Sequence, residues 1–313
     1  MKFIYNTGDD YQDVSHSYYD LYRFDDNSED EIFFYGYSCC INDAIKKPYK
    51  HYKRKVYYEW ANPCPYFSRQ NDAITSQLYF DEVYTICPYT AEYINNKYFG
   101  ITKQIPVPYT LRMEPFKKYI SDFNNKIYDI IYQGQFNSED HQIMYNVMKD
   151  YKHVICSIGP NNHITHNNIS TMKKMELVGQ SKISLASNLL YHRQDQIDFV
   201  KHFYTDWKSN NALCYIDYGI SPQFKSRVMD AAFCKTLNLI KEDPWNVIEM
   251  WFKPDKEFIY YKDEVDLKEK VDYILKNFDK YIPIIENAYQ KVLTYDIDIQ
   301  IKKIINKEKM YNE

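Results

Sequence analysis

A chain of 313 residues is long enough for two domains with separate cores, and 45% hydrophobic with 26% charged residues is a globular composition that excludes a disordered chain. A formal net charge of -4 excludes a wholly basic nucleic-acid binder, while a local patch can still attract phosphate. The 34 Tyr beside only 7 Gly, with conspicuous Lys, Asn and Ile, match an AT-rich genome rather than a stacking surface.

The first half reads as strands that end in polar loops. "MKFIYN", "EIFFYGY", "KRKVYYEW" and "DEVYTIC" are strand-like, and "PYTAEYINNKY" is helical. The Pro-rich "QIPVPYTLRMEPF" and the polar "SDFNNK" at 121–126 then mark a domain boundary. The alternation restarts with the apolar strand "IYDIIYQG", closed by Gly134, and the amphipathic helix "SEDHQIMYNVMKDY" with Ser138 at its N-cap. There follow "HVICSIG", the helix "STMKKMELVGQ", the strand "KISLAS", a helical region at 194–208, the strand "ALCYIDY", a helix over 223–234 and the strand "TLNLI". "EFIYY" and helices near 264–276, 281–293 and 297–307 complete the chain.

Strand and helix alternating at this spacing imply right-handed βαβ units and parallel sheets. The expected class is α/β, two Rossmann-like domains facing a cleft, with ligands beyond the carboxyl ends of the strands. The expected boundaries are 1–120, 121–295 and a C-terminal helix in 296–313 that packs back on the first domain.

Seven cysteines, an odd number without C-x-x-C spacing, read as reduced thiols rather than zinc ligands or disulfides. The N-terminal apolar run is too short for a signal peptide and no segment reaches the length of a membrane span. These features place the protein in the cytoplasm, of an infected host if the AT-rich bias is viral. His163 and His166 of "HITH" lie in a polar loop without a third ligand, so no metal site is expected. "KKPYKHYKRK" at 46–55 reads as a solvated basic loop before a strand, with a phosphate-rich acceptor as the alternative. No G-x-G-x-x-G follows any strand, which disfavours dinucleotide enzymes.

The run "FKSRVMDAAFCKTLNLIKED", then "EMWFKPDKEFIYYKDEVDLKEKVDYIL", resembles the C-terminal half of GT-B glycosyltransferases, especially the group related to the spore-maturation protein CgeB. Arg227, Asp230, Ala231 and Ala232 match its Arg-then-acidic helix, Phe252, Pro254 and Glu257 its turn, and Asp263 and Leu267 its last helix. The resemblance covers about residues 127–295. Three positions depart from the family pattern: Asp230 stands for Glu, and Lys235 and Asp255 each stand for Gly.

The resemblance implies a metal-independent GT-B enzyme that moves a sugar from a nucleoside-diphosphate sugar, its co-substrate, to a glycan, a protein or another acceptor. No further cofactor and no membrane span are implied. Nucleic acid bearing a modified base is a less common acceptor. Ser226 and Arg227 at the helix start would neutralise the diphosphate and Asp230 would bind the ribose diol. Gly134, Gln135, Asn188, Tyr218 and Gly219, at strand ends, and Glu249 would complete the donor pocket. Asp10, His16 and Glu59 at strand ends of the first domain are the candidates for the base that takes the acceptor proton. The rival readings are a catalytically idle GT-B-like protein that binds a glycan or partner, and an α/β enzyme of different chemistry.

Overall fold

A computed structural model describes residues 2–6, 31–36, 53–59, 80–86, 104–111, 113–192 and 219–308, with single helical residues at 95, 194 and 197. The expected strand "ALCYIDY" and the helical region at 194–208 fall almost wholly outside these residues. The chain divides into two compact units. One comprises Met1–Tyr109, Asp195–Phe203 and Ile301–Glu313, and the other Thr110–Gln194 and Tyr204–Gln300.

The first unit contains a five-stranded parallel sheet of β1 (Lys2–Asn6), β2 (Glu31–Gly36), β3 (Arg54–Glu59), β4 (Glu82–Thr85) and β5 (Gln104–Pro106), in that spatial order. The four strands expected from sequence are present. The fifth comes from the Pro-rich segment read as a boundary. Pro106 is tolerated because it ends an edge strand. Arg54, read as part of a solvated basic loop, is buried: it grips Glu82 through Nε at 2.7 Å and Nη2 at 2.9 Å and donates to the carbonyls of Ile304 and Ile305.

The second unit is built on a six-stranded parallel sheet, ordered β13-β12-β9-β6-β7-β8. Its strands are β6 (Tyr128–Gln133), β7 (His153–Ser157), β8 (His166–Asn167), β9 (Ser181–Ala186), β12 (Leu237–Lys241) and β13 (Ile259–Tyr261). Renumbered by first appearance, the order is that of a doubly wound dinucleotide-type sheet, reversing between β6 and β9. The helices are α1 (Glu139–Met148), α2 (Thr171–Gly179), α3 (Arg227–Phe233), α4 (Glu264–Lys276), α5 (Ile282–Leu293) and α6 (Ile297–Ile305). An antiparallel pair, β10 (Leu189–Tyr191) with β11 (Ile220–Pro222), here called the hairpin for its pairing alone, forms a two-stranded sheet of its own. Ile130, Tyr132, Ile183, Leu185, Leu237 and Leu239 pack with Met144, Leu267 and Val271 in one core. Side chains fully buried in this way each contribute about 1.5–3 kcal/mol.

Lys235 and Asp255, the two positions where the resemblance implies glycine, both adopt the left-handed backbone that glycine favours. Lys235 sits at φ 55° just past α3, where its N–H meets Ala232 O at 3.3 Å and the Thr236 N–H meets Ala231 O at 2.9 Å, the paired bonds of a Schellman motif. Its ammonium pairs with Glu286 at 2.6 Å and lies 4.7 Å from the Tyr289 ring centroid. Asp255, at φ 59°, closes the other turn with an N–H to Phe258 O bond of 2.8 Å. Beneath α3, the Lys126 ammonium donates to Gly179 O and Lys235 O at 2.8 Å each, so one half-buried side chain closes the C-terminal ends of α2 and α3. Burial pulls its pKa down to about 7. Gly179 is required here because a Cβ would collide with the backbone oxygen of Tyr119.

Because Lys235 carries a Cβ in the left-handed region, Lys235→Gly is expected to unfold at higher urea concentration than Lys235→Ala, by about 1 kcal/mol. Both variants lack the Glu286 pair, so equal stabilities would mean that no strain resides at this turn.

Candidate functional site

The order reversal sends the connections after β6 and β9 to opposite sides of the sheet and opens a crevice between their carboxyl ends. A cavity of about 470 Å³ lies there. Tyr132, Gln135, Asn137 and His141 from β6 and the turn into α1 line one side, Ser187 and the hairpin residues Leu189 to His192 another, and Gln223, Lys225 and Arg227 a third.

Arg227 is the first residue of α3, and its side chain crosses the turn after β6. A Cβ on Gly134, which adopts φ 122°, would collide with the guanidinium. Its central carbon lies 4.9 Å from the Tyr132 ring centroid and Nη1 donates to the Tyr132 hydroxyl. Among the described residues no carboxylate pairs with Arg227.

The Tyr132 hydroxyl donates its proton to Gln135 O at 2.8 Å and lies 2.6 Å from His141 Nε2. His141 Nδ1 accepts the backbone N–H groups of Asn137 and Ser138, each at 2.9 Å. These two donors place the ring proton on Nε2, so His141 donates to Tyr132 and is neutral. Burial, reinforced by the nearby Arg227 charge, depresses its pKa to about 3. Burial also raises the Tyr132 pKa and keeps the phenol protonated.

On the β9 side, Ser187 donates to Asp140 Oδ2 at 3.0 Å, and Asp140 is ion-paired with Lys241. Asp243, just after β12, is buried and its carboxyl is pushed up to about 6 by that burial. Its Oδ1 accepts the Trp245 and Asn246 N–H groups at 2.9 Å, and Oδ2 has no partner.

Of the expected donor residues, Gln135 and Arg227 line the cavity and Gly134 gives Arg227 its room. Asn188 serves one step back: its Oδ1 accepts the Lys225 N–H at 3.0 Å and its carbonyl the Gln223 N–H at 2.7 Å, holding the segment that presents Lys225. Gly219, at φ 72°, closes the hairpin through a bond from the His192 N–H. Three other expected residues stand off the cavity lining. Ser226 makes no side-chain cap, and the helix after it is only seven residues, so the cationic side chain rather than a helix end faces the cavity. Asp230 points inward, buried, and pairs with Lys174 at 2.8 Å rather than with Arg227 or the cavity. Glu249 is exposed and accepts from the Tyr260 hydroxyl at 3.0 Å, away from the cavity lining.

Asp10, His16 and Tyr218 lie outside the described residues. Glu59 ends β3, in register with Gly36 and Thr85. His163 stacks on Tyr145 with centroids 3.7 Å apart, and His166 lies against Thr165. Sequence reasoning missed Tyr132, His141, Ser187 and Lys225; the only hint was a His three residues after the Ser138 cap, the position of a reciprocal capping side chain.

The sequence pattern of the glycosyl transferase-like family matches residues 148–304, half of the chain, and the chain belongs to that family. None of the curated protein sequences matches it. Among solved structures, the sucrose-phosphate synthase of Thermosynechococcus elongatus superposes with TM-score 0.57 at 9% identity, over 93% of this chain and 75% of the other. An α-glucosyltransferase in complex with UDP and a 13-mer DNA containing an HMU base gives 0.59 at 9%, over 89% and 79%. A protein of Anabaena, HepE, in complex with UDP and glucose gives 0.56 at 8%, over 89% and 78%. At these identities the likeness shows the fold, which is GT-B. Family and fold together make the protein a glycosyltransferase. Among the described residues no helix is long and apolar enough to cross a membrane.

Two measurements test this arrangement. His141 is neutral when folded and binds a proton near 6.5 when unfolded, so the unfolded state gains protons as pH falls from 6.5 toward 3 and stability is lost there. Asp243, raised to about 6, contributes the opposite slope between about 3.8 and 6, so the comparison must be against His141→Gln, which retains it. The stability advantage of the wild type over His141→Gln should shrink by at most about 1.4 kcal/mol per pH unit over that window. Separately, Asp230→Ala should lower unfolding free energy by about 2 kcal/mol, because it strands the partly buried Lys174 ammonium. An unchanged denaturation midpoint would show that the pair adds nothing.

Proposed function

We propose that this glycosyltransferase binds a nucleoside-diphosphate sugar in the β6/β9 crevice, with the diphosphate on Arg227, and transfers the sugar to a hydroxyl or amine of its acceptor. The supporting observation is the Arg227 guanidinium, held across Gly134 in a cavity at the order reversal and paired with no described carboxylate. In the reaction an acceptor oxygen or nitrogen bonds to the anomeric carbon as the bond from that carbon to the diphosphate breaks. The departing charge falls on the diphosphate, where a preorganised cation is most effective. The acceptor proton passes to a base, for which Asp10, His16 and Glu59 remain the candidates.

UDP is the first donor base to test, since UDP appears with the α-glucosyltransferase and the Anabaena protein. The motifs around Arg227 and Pro254 favour the CgeB-related group within the family. We take the donor chemistry to run without a metal, the acceptor to be a glycan or protein, and the compartment to be the cytoplasm, as the scattered cysteines indicate. DNA with a modified base is the second acceptor, favoured by the DNA-bound α-glucosyltransferase. Within the basic stretch, however, Arg54 is committed to Glu82 and Lys55 lies 3.4 Å from Asp81.

A thermal-shift panel of UDP, GDP, ADP and their sugar conjugates tests the donor site, since a ligand of the native state raises its stability. One diphosphate should stabilise the wild type selectively. Arg227→Ala should weaken its binding at least about tenfold while remaining folded. Unaltered binding by that variant overturns the assignment.

A further inference from the structure

We propose that Tyr132 and His141 are positioning residues that aim Arg227 at the diphosphate, so that a side chain replaces the backbone anion site usual at the first turn of a doubly wound sheet. The inference rests on the donor reading above.

In such sheets, phosphates sit on backbone N–H groups where the first strand turns into its helix. Here two N–H groups of that turn, those of Asn137 and Ser138, are already taken: both donate to His141 Nδ1. The sealing side chain then passes the interaction on. His141 Nε2 donates to the Tyr132 oxygen, which sends its own proton to Gln135 O and has one lone pair left for Arg227 Nη1. His141 Nδ1 takes both N–H groups and also lies 2.9 Å from Ser138 Oγ, and the Tyr132 hydroxyl gives one bond and takes two, so the chain from the turn to Arg227 is saturated. The aromatic face below and the missing Cβ of Gly134 fix the guanidinium from the other two directions. An arginine prepared in this way loses little rotamer freedom on binding, which is how Tyr132 and His141, although they also line the cavity, can raise affinity through Arg227.

A double-mutant cycle separates positioning from simple packing. UDP, UMP and inorganic pyrophosphate are titrated calorimetrically into wild type, Tyr132→Phe, Arg227→Ala and the double variant, each first checked for native circular dichroism. Tyr132→Phe should weaken UDP and pyrophosphate about tenfold and UMP markedly less. The double variant should bind UDP no more weakly than Arg227→Ala alone, because Tyr132 acts only through Arg227. If Tyr132→Phe does not fold, His141→Gln takes its place in the same cycle. Wild-type affinity in the Tyr132 or His141 variant, or a loss that adds fully to that of Arg227→Ala, overturns the proposal. Normal UDP binding by Arg227→Ala instead overturns the donor reading, and this inference with it.

Discussion

The parallel sheet of the second unit reverses its order once, between β6 and β9, and the candidate site depends on that reversal. Parallel strands need crossovers, and crossovers that leave neighbouring strands on opposite sides leave a gap which no connection fills. The polar ends of the two strands, Gln133 onward and Ser187 onward, must be satisfied in that gap. Turn residues, the Tyr132–His141–Arg227 chain and the Ser187–Asp140–Lys241 chain meet part of this demand, while Gln133 Oε1 and Asn188 Nδ2 stay buried without a partner among the described residues. In the first unit the described strands run in chain order without such a reversal.

The two chains give the crevice opposite chemical faces. The Ser187 proton is committed to Asp140, which leaves lone pairs on its oxygen, whereas Arg227 has N–H groups left beyond the one on Tyr132. A ligand that is anionic at one point and rich in hydroxyl or N–H groups at another fits such a cavity. Nucleoside-diphosphate sugars have that character, while a plain anion would satisfy only the Arg227 face.

The elements with a strong local signal were legible in the sequence. β6, β12 and α4 carry continuous apolar runs or amphipathic spacing, and their ends fall where Gly134 and the Asp263 cap place them. Short elements such as β8 and the β10–β11 hairpin were not, since two or three residues carry no period and their pairing is set by tertiary contact. The site was half legible. Arg227 was reached only through its motif, and its partner Tyr132 reads as one more apolar strand residue. Asp230 was assigned to a ligand because Lys174 lies 56 positions earlier and a local reading cannot bring the two together. The basic stretch misled in the same way, since nothing near Arg54 in sequence announces Glu82 or the carbonyls at the end of α6.

Composition marks the Pro-rich stretch at 104–116 and the polar one at 121–126 as a domain boundary, and within it the segment 119–126 acts as a clasp on the second unit. Its Tyr119 carbonyl presses on Gly179, its Ser121 hydroxyl bonds the carbonyl of that glycine, and its Lys126 ammonium joins the ends of two helices. A boundary drawn by composition would therefore cut through the packing of the unit it is meant to release. The compact unit accordingly starts at Thr110, upstream of Glu114, and takes the polar residues 121–126 in as part of its own packing.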